Sequence, residues 1–364
     1  MTTAQAQAPA FMPGSSEPSL FSVPKAPQTR GEEASASMPR RLTTGHYLAL
    51  CGGVGGAKLA LGLSHALPAG NLSIVVNDGD DFDYLGLTIC PDIDTVTYTL
   101  AGLAHPQQGW GRDEESWLAR GVQEGLGVKP WFQLGDKDLG LHLARRAMLD
   151  AGQPLSAVTA RIARSLGIGH DISPMTDDPV RTLVDSDAGL LPFQDYFVRR
   201  HCAPAVRAIH FAGADAARPA PALLRALHDE RLAGVIICPS NPWLSIDPIL
   251  ALPGIRDALR RAPAPVIAVA PIVGDSAIKG PTAKIMRELG LNPSAAAVAR
   301  HYGGLLDGYV IDAGDTAAAR ELEGTIPLLS CGIVMNTLDD KIRLARQCLA
   351  FAGELRGEDA RAVR

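Results

Sequence analysis

The chain has 364 residues, with 34 Lys and Arg against 39 Asp and Glu, for a formal charge of −5. That slight acidity leaves no basic excess for gripping a polynucleotide, which excludes a dedicated nucleic-acid binder and leaves single nucleotides open. No run approaches ~18 consecutive apolar residues, so no membrane span and no membrane partner are expected.

The first 45 residues are dominated by Ala, Gln, Pro, Ser and Thr, without helical or strand periodicity. Residues 1–45 are therefore read as a disordered tail. Met1 to Ala10 has neither a basic start nor an uninterrupted apolar stretch, so no export signal is expected. Cys51, Cys90, Cys202, Cys238, Cys331 and Cys348 include no CxxC pair, and several lie in apolar runs. They read as reduced thiols of a cytoplasmic protein.

The folded part begins at Tyr47–Cys51, an apolar run that predicts a buried parallel strand ending in glycines. Ala57–Leu67 reads as a helix and Leu72–Val76 as a second strand, which makes an opening βαβ unit. Asp138–Leu149 and Leu155–Leu166 carry helical spacing, and Arg181–Phe197 reads as a hairpin about Asp185–Gly189. Strand patterns recur at Gly234–Cys238, Pro265–Ala270 and Gly308–Ile311. The expected fold is α/β: a Rossmann-like, doubly wound, mostly parallel sheet from 46–100 and 206–364. A mainly helical insertion with a hairpin is expected over 101–205. Apolar helices outside the core would suit a homodimer.

Gly52-Gly53-Val54-Gly55-Gly56-Ala57-Lys58 stands between the first strand and the first helix. Glycines there let a backbone approach a ligand, and a helix N-terminus offers N–H groups to an anion. Neither regular fingerprint fits: GxGxxG would need glycine where Lys58 stands, and a Walker A loop would need Ser or Thr where Leu59 stands. Next comes Asn77-Asp78-Gly79-Asp80-Asp81-Phe82-Asp83, and then a Pro91-Asp92-Ile93-Asp94-Thr95 loop. Such acidic groups repel one another unless a cation or hydrogen bonds offset the charge, and hard oxygen ligands suit Mg²⁺. Leu134–Asp138, Pro174–Asp178 and Cys238–Pro242 add polar loops at probable element ends. No GxSxG elbow, HExxH helix or Cys–His pairing is present, so charge stabilisation and positioning are the expected chemistry.

Together, Gly52–Lys58, Asn77–Asp81, Pro91–Thr95, Leu134–Asp138, Pro174–Asp178, Phe193-Gln194 and Pro239–Pro242 resemble the CofD family. The likeness spans residues 47 to 350 or so. CofD proteins are phospholactate transferases of coenzyme F-420 biosynthesis. The resemblance implies a Mg²⁺-dependent transfer of a phosphate-linked three-carbon acid (lactyl, enolpyruvyl or glyceryl) from a guanosine-activated donor. The acceptor is the hydroxyl of the deazaflavin Fo, and GMP is released. It further implies Fo contacts at Asp94, Thr95 and Lys137, and nucleotide contacts at Gly52, Gly53, Gly55, Gly56, Lys58, Asn77, Ser240, Asn241 and Pro242. Asp80 and Asp94 are the expected metal ligands, with Asp80, Asp94 and Lys137 the catalytic set. Asp78 departs from the family pattern and is expected to add negative charge beside the phosphates. Asp94→Asn is expected to fold normally and to lose at least ~10²-fold in turnover. A second reading is a non-catalytic nucleotide-sugar-binding regulator of the same superfamily fold. Pro91–Thr95 and Leu134–Asp138 favour the transferase.

Overall fold

Uncharged runs of branched side chains become buried strands in the computed structural model, which describes residues 45–274, 276–277 and 280–362. The expected tail, 1–45, lies outside the described residues except for Gly45. In chain order, β1 (His46–Cys51), α1 (Gly53–Ala66) and β2 (Leu72–Val76) form the opening βαβ unit. The hairpin of β3 (Phe82–Tyr84) and β4 (Leu87–Ile89) leads into α2 (Pro91–Leu100). Next come α3 (Leu118–Gly125), α4 (Asp136–Asp150), α5 (Leu155–Ser165) and β5 (Asp171–Pro174). β6 (Arg181–Ser186), β7 (Gly189–Pro192) and β8 (Val206–Ala212) make an antiparallel sheet in the order β7-β6-β8.

α6 (Pro221–Leu227) and β9 (Leu232–Ile237) return the chain to the core. A π-helical turn at Pro242–Ile246 then runs into α7 (Asp247–Leu250) and α8 (Ile255–Arg260). β10 (Val266–Val269) precedes the short hairpin of β11 (Ile272–Val273) and β12 (Ser276–Ala277), then α9 (Thr282–Glu288) and α10 (Ala295–His301). β13 (Gly308–Asp312), α11 (Thr316–Leu322), β14 (Leu328–Cys331) and α12 (Leu338–Ala362) follow.

The central sheet has seven strands in the order β14-β13-β10-β9-β1-β2-β5, and each neighbouring pair is parallel. β1 and β9 are buried at all six of their residues, as strands covered on both faces must be. From β1 the chain winds outward through β2 to β5. It then crosses back to lay β9 on the other side of β1, so the strand order reverses between β1 and β9. Open α/β sheets bind ligands at such a reversal, beyond the carboxyl ends of the strands.

The structure corrects four boundaries. α1 begins at Gly53 rather than Ala57, because the glycine run already belongs to its first turn. Pro91–Thr95 is the first turn of α2 rather than a loop, with Pro91 at the position where its missing N–H is harmless. Within 101–205, the helices α3 to α5 and the β6–β7 hairpin are present, but β5 pairs with β2 in the central sheet. The division at 205 also cuts the small sheet, since β8 pairs with β6. β5 and β14 are four-residue strands at the two sheet edges, too short for their pattern to stand out.

Candidate functional site

A cavity of about 1380 Å³ lies where the loops after β1 and β9 meet, lined there by Gly52, Gly53, Gly55 and Pro239–Asn241. The Ser240 hydroxyl clasps the two loops, donating to the Gly52 carbonyl at 2.8 Å and accepting from the Gly52 N–H at 3.1 Å. Gly53 has a φ of +63°, and its N–H donates to Asp92 Oδ1 at 2.7 Å. A side chain at Gly52 would strike the Asp92 carboxylate and Ser245, and one at Gly55 would strike the Pro239 carbonyl. The glycines are thus required by loop packing as well as by access to a ligand. Asn241 Oδ1 accepts from the N–H groups of Trp243 and Leu244, at 3.0 and 3.2 Å. Its buried Nδ2 has no partner among the described residues, which leaves a donor at the cavity wall.

Asp80 and Asp92 form the next part of the wall. Asn77, fully buried behind them, donates from Nδ2 to Asp80 Oδ1 at 2.7 Å and to Asp92 Oδ2 at 3.0 Å. Burial pushes the Asp80 carboxyl well above the ordinary range, and the neighbouring Asp92 charge adds to this. Asp92 is pushed up to about 6, again mainly by burial, against hydrogen bonds from Asn77 and Gly53. Two desolvated carboxylates drawn together at a cavity wall are a donor set suited to a hard divalent cation, which commonly takes one or two carboxylates plus substrate oxygens. No group of three or more His, Cys, Asp or Glu poised for a metal occurs among the described residues.

Asp94 differs from this pair. It sits one turn into α2, and both its oxygens are taken by the Arg145 guanidinium, Oδ2 at 3.1 Å. Arg145 is almost wholly buried and also donates to His142 Nδ1 at 3.0 Å and to the Thr88 carbonyl at 3.3 Å. Although burial opposes its charge, Asp94 holds the guanidinium above its ordinary range. The buried Arg145 guanidinium thus neutralises Asp94, whereas Asp92 shares Asn77 with Asp80. Asp138, His142 and Arg145 fall at i, i+4 and i+7 on α4, hence on one face. His142 Nε2 lies 3.3 Å from Asp138 Oδ1, and the Tyr98 hydroxyl donates to the same oxygen at 2.5 Å. Burial raises Asp138, but His142 and Tyr98 outweigh it and hold the carboxyl below its usual range. Asp94, Tyr98, Asp138 and His142 all face the cavity.

The cavity is also lined by aromatic rings. Phe193 and Phe197 stack with centroids 5.2 Å apart, Trp131 and Phe132 meet edge-on at 5.7 Å, and Trp110 and Trp117 complete the wall.

Of the residues expected from sequence, Gly52, Gly53, Gly55, Lys58, Asp80, Asp94, Thr95, Ser240 and Asn241 line this one cavity. Gly56, Asn77, Lys137 and Pro242 do not. Gly56 packs on Ser240 and Cys51, and Pro242 is buried in the turn that Asn241 caps. Asn77 ties the carboxylates together from behind. Lys137 lies about 100° round α4 from Asp138 and faces solvent, its Nζ on the Asp113 carbonyl at 3.3 Å. Lys58 Nζ donates to the Met335 carbonyl at 2.8 Å. Asp78 is buried away from the cavity beside Asp81, its Oδ2 accepting from the Thr176 N–H at 3.4 Å. Burial and the Asp81 charge raise its carboxyl well above the ordinary range. Arg145, His142 and Tyr98 are not singled out by the sequence, and Asp92 figures there only as part of the Pro91–Thr95 run. The i, i+4, i+7 run of Asp138, His142 and Arg145 was the available signal.

A glycine-loop crevice at a strand-order reversal, joined to a buried carboxylate pair, is the place where an open α/β sheet takes its ligand. The family model described as 2-phospho-L-lactate transferase CofD matches residues 48–326. The phosphoenolpyruvate transferase of Streptomyces griseus subsp. griseus is 41% identical over 314 residues, covering 84% of this chain and 98% of that protein. The phosphoenolpyruvate transferase of Mycobacterium tuberculosis is 39% identical over 309 residues, covering 77% and 92%. Among solved structures, a UPF0052-family protein of Bacillus halodurans aligns with a TM-score of 0.56 over 85% of this chain and 99% of its own. At 13% identity that likeness establishes the fold alone. The chain belongs to the CofD family, and it is a transferase. No helix among the described residues is long and apolar enough to cross a membrane.

Proposed function

We propose that this protein transfers a phosphate-linked three-carbon acid from a guanosine-activated donor to the hydroxyl of Fo, releasing GMP, in coenzyme F-420 biosynthesis. Enolpyruvate is the favoured acid, because the similar proteins of Streptomyces and Mycobacterium are phosphoenolpyruvate transferases. The observation that carries the reading is one continuous cavity whose lining combines two unlike sets of residues. One set is the glycine loop, the spare Asn241 donor and the Asp80–Asp92 pair, features that suit a nucleotide diphosphate. The other is Asp94 with the aromatic walls, which suit a flat deazaflavin with its hydroxyl side chain.

In the reaction the Fo hydroxyl oxygen attacks the phosphorus that carries the three-carbon acid. The bond from that phosphorus to the bridging oxygen breaks, GMP leaves with the bridging oxygen, and the hydroxyl proton passes to solvent. Asp94, held by Arg145, accepts the hydrogen bond of the attacking hydroxyl and aims it. A Mg²⁺ ion held by Asp80 and Asp92 would supply charge neutralisation for the diphosphate. Lys58 lines the same cavity and would have to leave the Met335 carbonyl to reach the donor phosphates.

Thermal unfolding with ligands tests this reading. Saturating Fo and saturating GMP should each raise the melting temperature, since a ligand at 100 times its Kd adds about 2.7 kcal/mol to the folded state. Protection by GMP with none from Fo would instead favour a nucleotide-binding regulator.

A further inference from the structure

Arg112 lines the cavity and differs from the other cations there. Lys58 is committed to the Met335 carbonyl, and Arg199 reaches Asp195 at 3.5 Å while lying over Trp131. Arg112 has no ion pair among the described residues, and its buried Nε has no hydrogen-bond partner. What holds it is its guanidinium carbon, 5.3 Å from the centroid of Tyr98. The backbone beneath it is fixed as well. Ala104 and Arg112 form an antiparallel bridge, closed by the Asp113 N–H on the Leu103 carbonyl at 2.9 Å and the His105 N–H on the Gly111 carbonyl at 3.1 Å. A guanidinium that is positioned, partly desolvated and left without a counter-ion is built to receive an anion.

Tyr98 places it. The phenol donates to Asp138 and its ring carries Arg112, so Arg112 borders the cluster around Asp94 rather than the glycine-loop end. Resting on the functional reading above, we infer that Arg112 receives the carboxylate of the transferred three-carbon acid. The diphosphate has its own donors at the glycine-loop end. The acid is a substituent of the phosphorus that the acceptor hydroxyl must approach, so its carboxylate falls near the Asp94 cluster, and a planar fork matches a carboxylate better than a point charge does.

The test compares a guanosine-activated enolpyruvyl donor with its carboxamide analogue, each with Fo, in the parent, Arg112→Gln and Arg112→Lys. The parent should prefer the carboxylate donor in kcat/KM by at least ~10-fold, the usual scale for a charge-assisted hydrogen bond. Arg112→Gln should collapse that preference, mainly through the donor KM, while Arg112→Lys keeps part of it. An equal loss on both donors would overturn the inference and assign Arg112 to the phosphate or to loop structure. If the parent transfers neither donor, the functional reading fails, and calorimetry decides about Arg112 separately. Free phosphoenolpyruvate should then bind the parent more tightly than its carboxamide, a preference absent in Arg112→Gln. Equal binding of the two would overturn the inference.

Discussion

Taking a guanidinium out of water costs several kcal/mol, and at Arg145 a carboxylate of matching geometry offsets that cost. Asp94 and Arg145 therefore hold each other in place, and the Asp94 carboxylate is rigid because its partner is buried. This revises the expected behaviour of Asp94→Asn. The amide cannot neutralise Arg145, so the variant should lose about 3–5 kcal/mol of stability in urea unfolding as well as its activity. The double replacement Asp94→Leu with Arg145→Met should recover most of the stability and none of the turnover. A single variant that unfolds like the parent would show the pair to be structurally idle. Asp94 was legible in the sequence because its aspartates and proline form a compact acidic motif. Arg145 was not, because a charged residue in an amphipathic helix ordinarily reads as solvated surface.

Among the elements, α1 bears the most constraint. Its N-terminus meets the loop after β9 through Ser240 and α2 through Asp92, and its flank lies against α12 at Gly62. A Cβ at Gly62 would meet the carbonyl carbon of Lys341 at 2.5 Å and Ala345 Cβ at 3.2 Å. Gly62→Ala should therefore lose about 1–3 kcal/mol by overpacking, despite the better helix propensity of alanine. Gly140→Ala on the open face of α4 has nothing within 4 Å and should gain up to ~1 kcal/mol. Similar melting shifts of the same sign in both would contradict the packing of α1 on α12. The strands β1, β2, β9, β10 and β13 were legible because parallel strands covered on both faces are continuous apolar runs. The start of α2 was not, since Pro-Asp-Ile-Asp-Thr fits a turn as well as a helix opening with proline and acidic residues. The edge strands β5 and β14 carry too few residues to show a pattern.

At the scale of the whole molecule, the reversal of strand order between β1 and β9 makes the crevice, and the segments between β2 and β9 wall it with Tyr98, α4 and the aromatic side chains. The sequence showed the doubly wound order and the glycine loop. It could not show that α4 turns Asp138 inward and Lys137 outward, because that depends on how the helix is rotated against the sheet. The central claim is that one cavity brings a guanosine-activated phospho-acid to the Fo hydroxyl. The direct measurement is to incubate the purified protein with guanosine-activated phosphoenolpyruvate, Fo and Mg²⁺, then quantify GMP and weigh the deazaflavin product. The account predicts one GMP for each Fo phosphodiester formed and negligible GMP when Fo is left out. GMP released at the same rate without Fo, or Fo recovered unchanged, would contradict it.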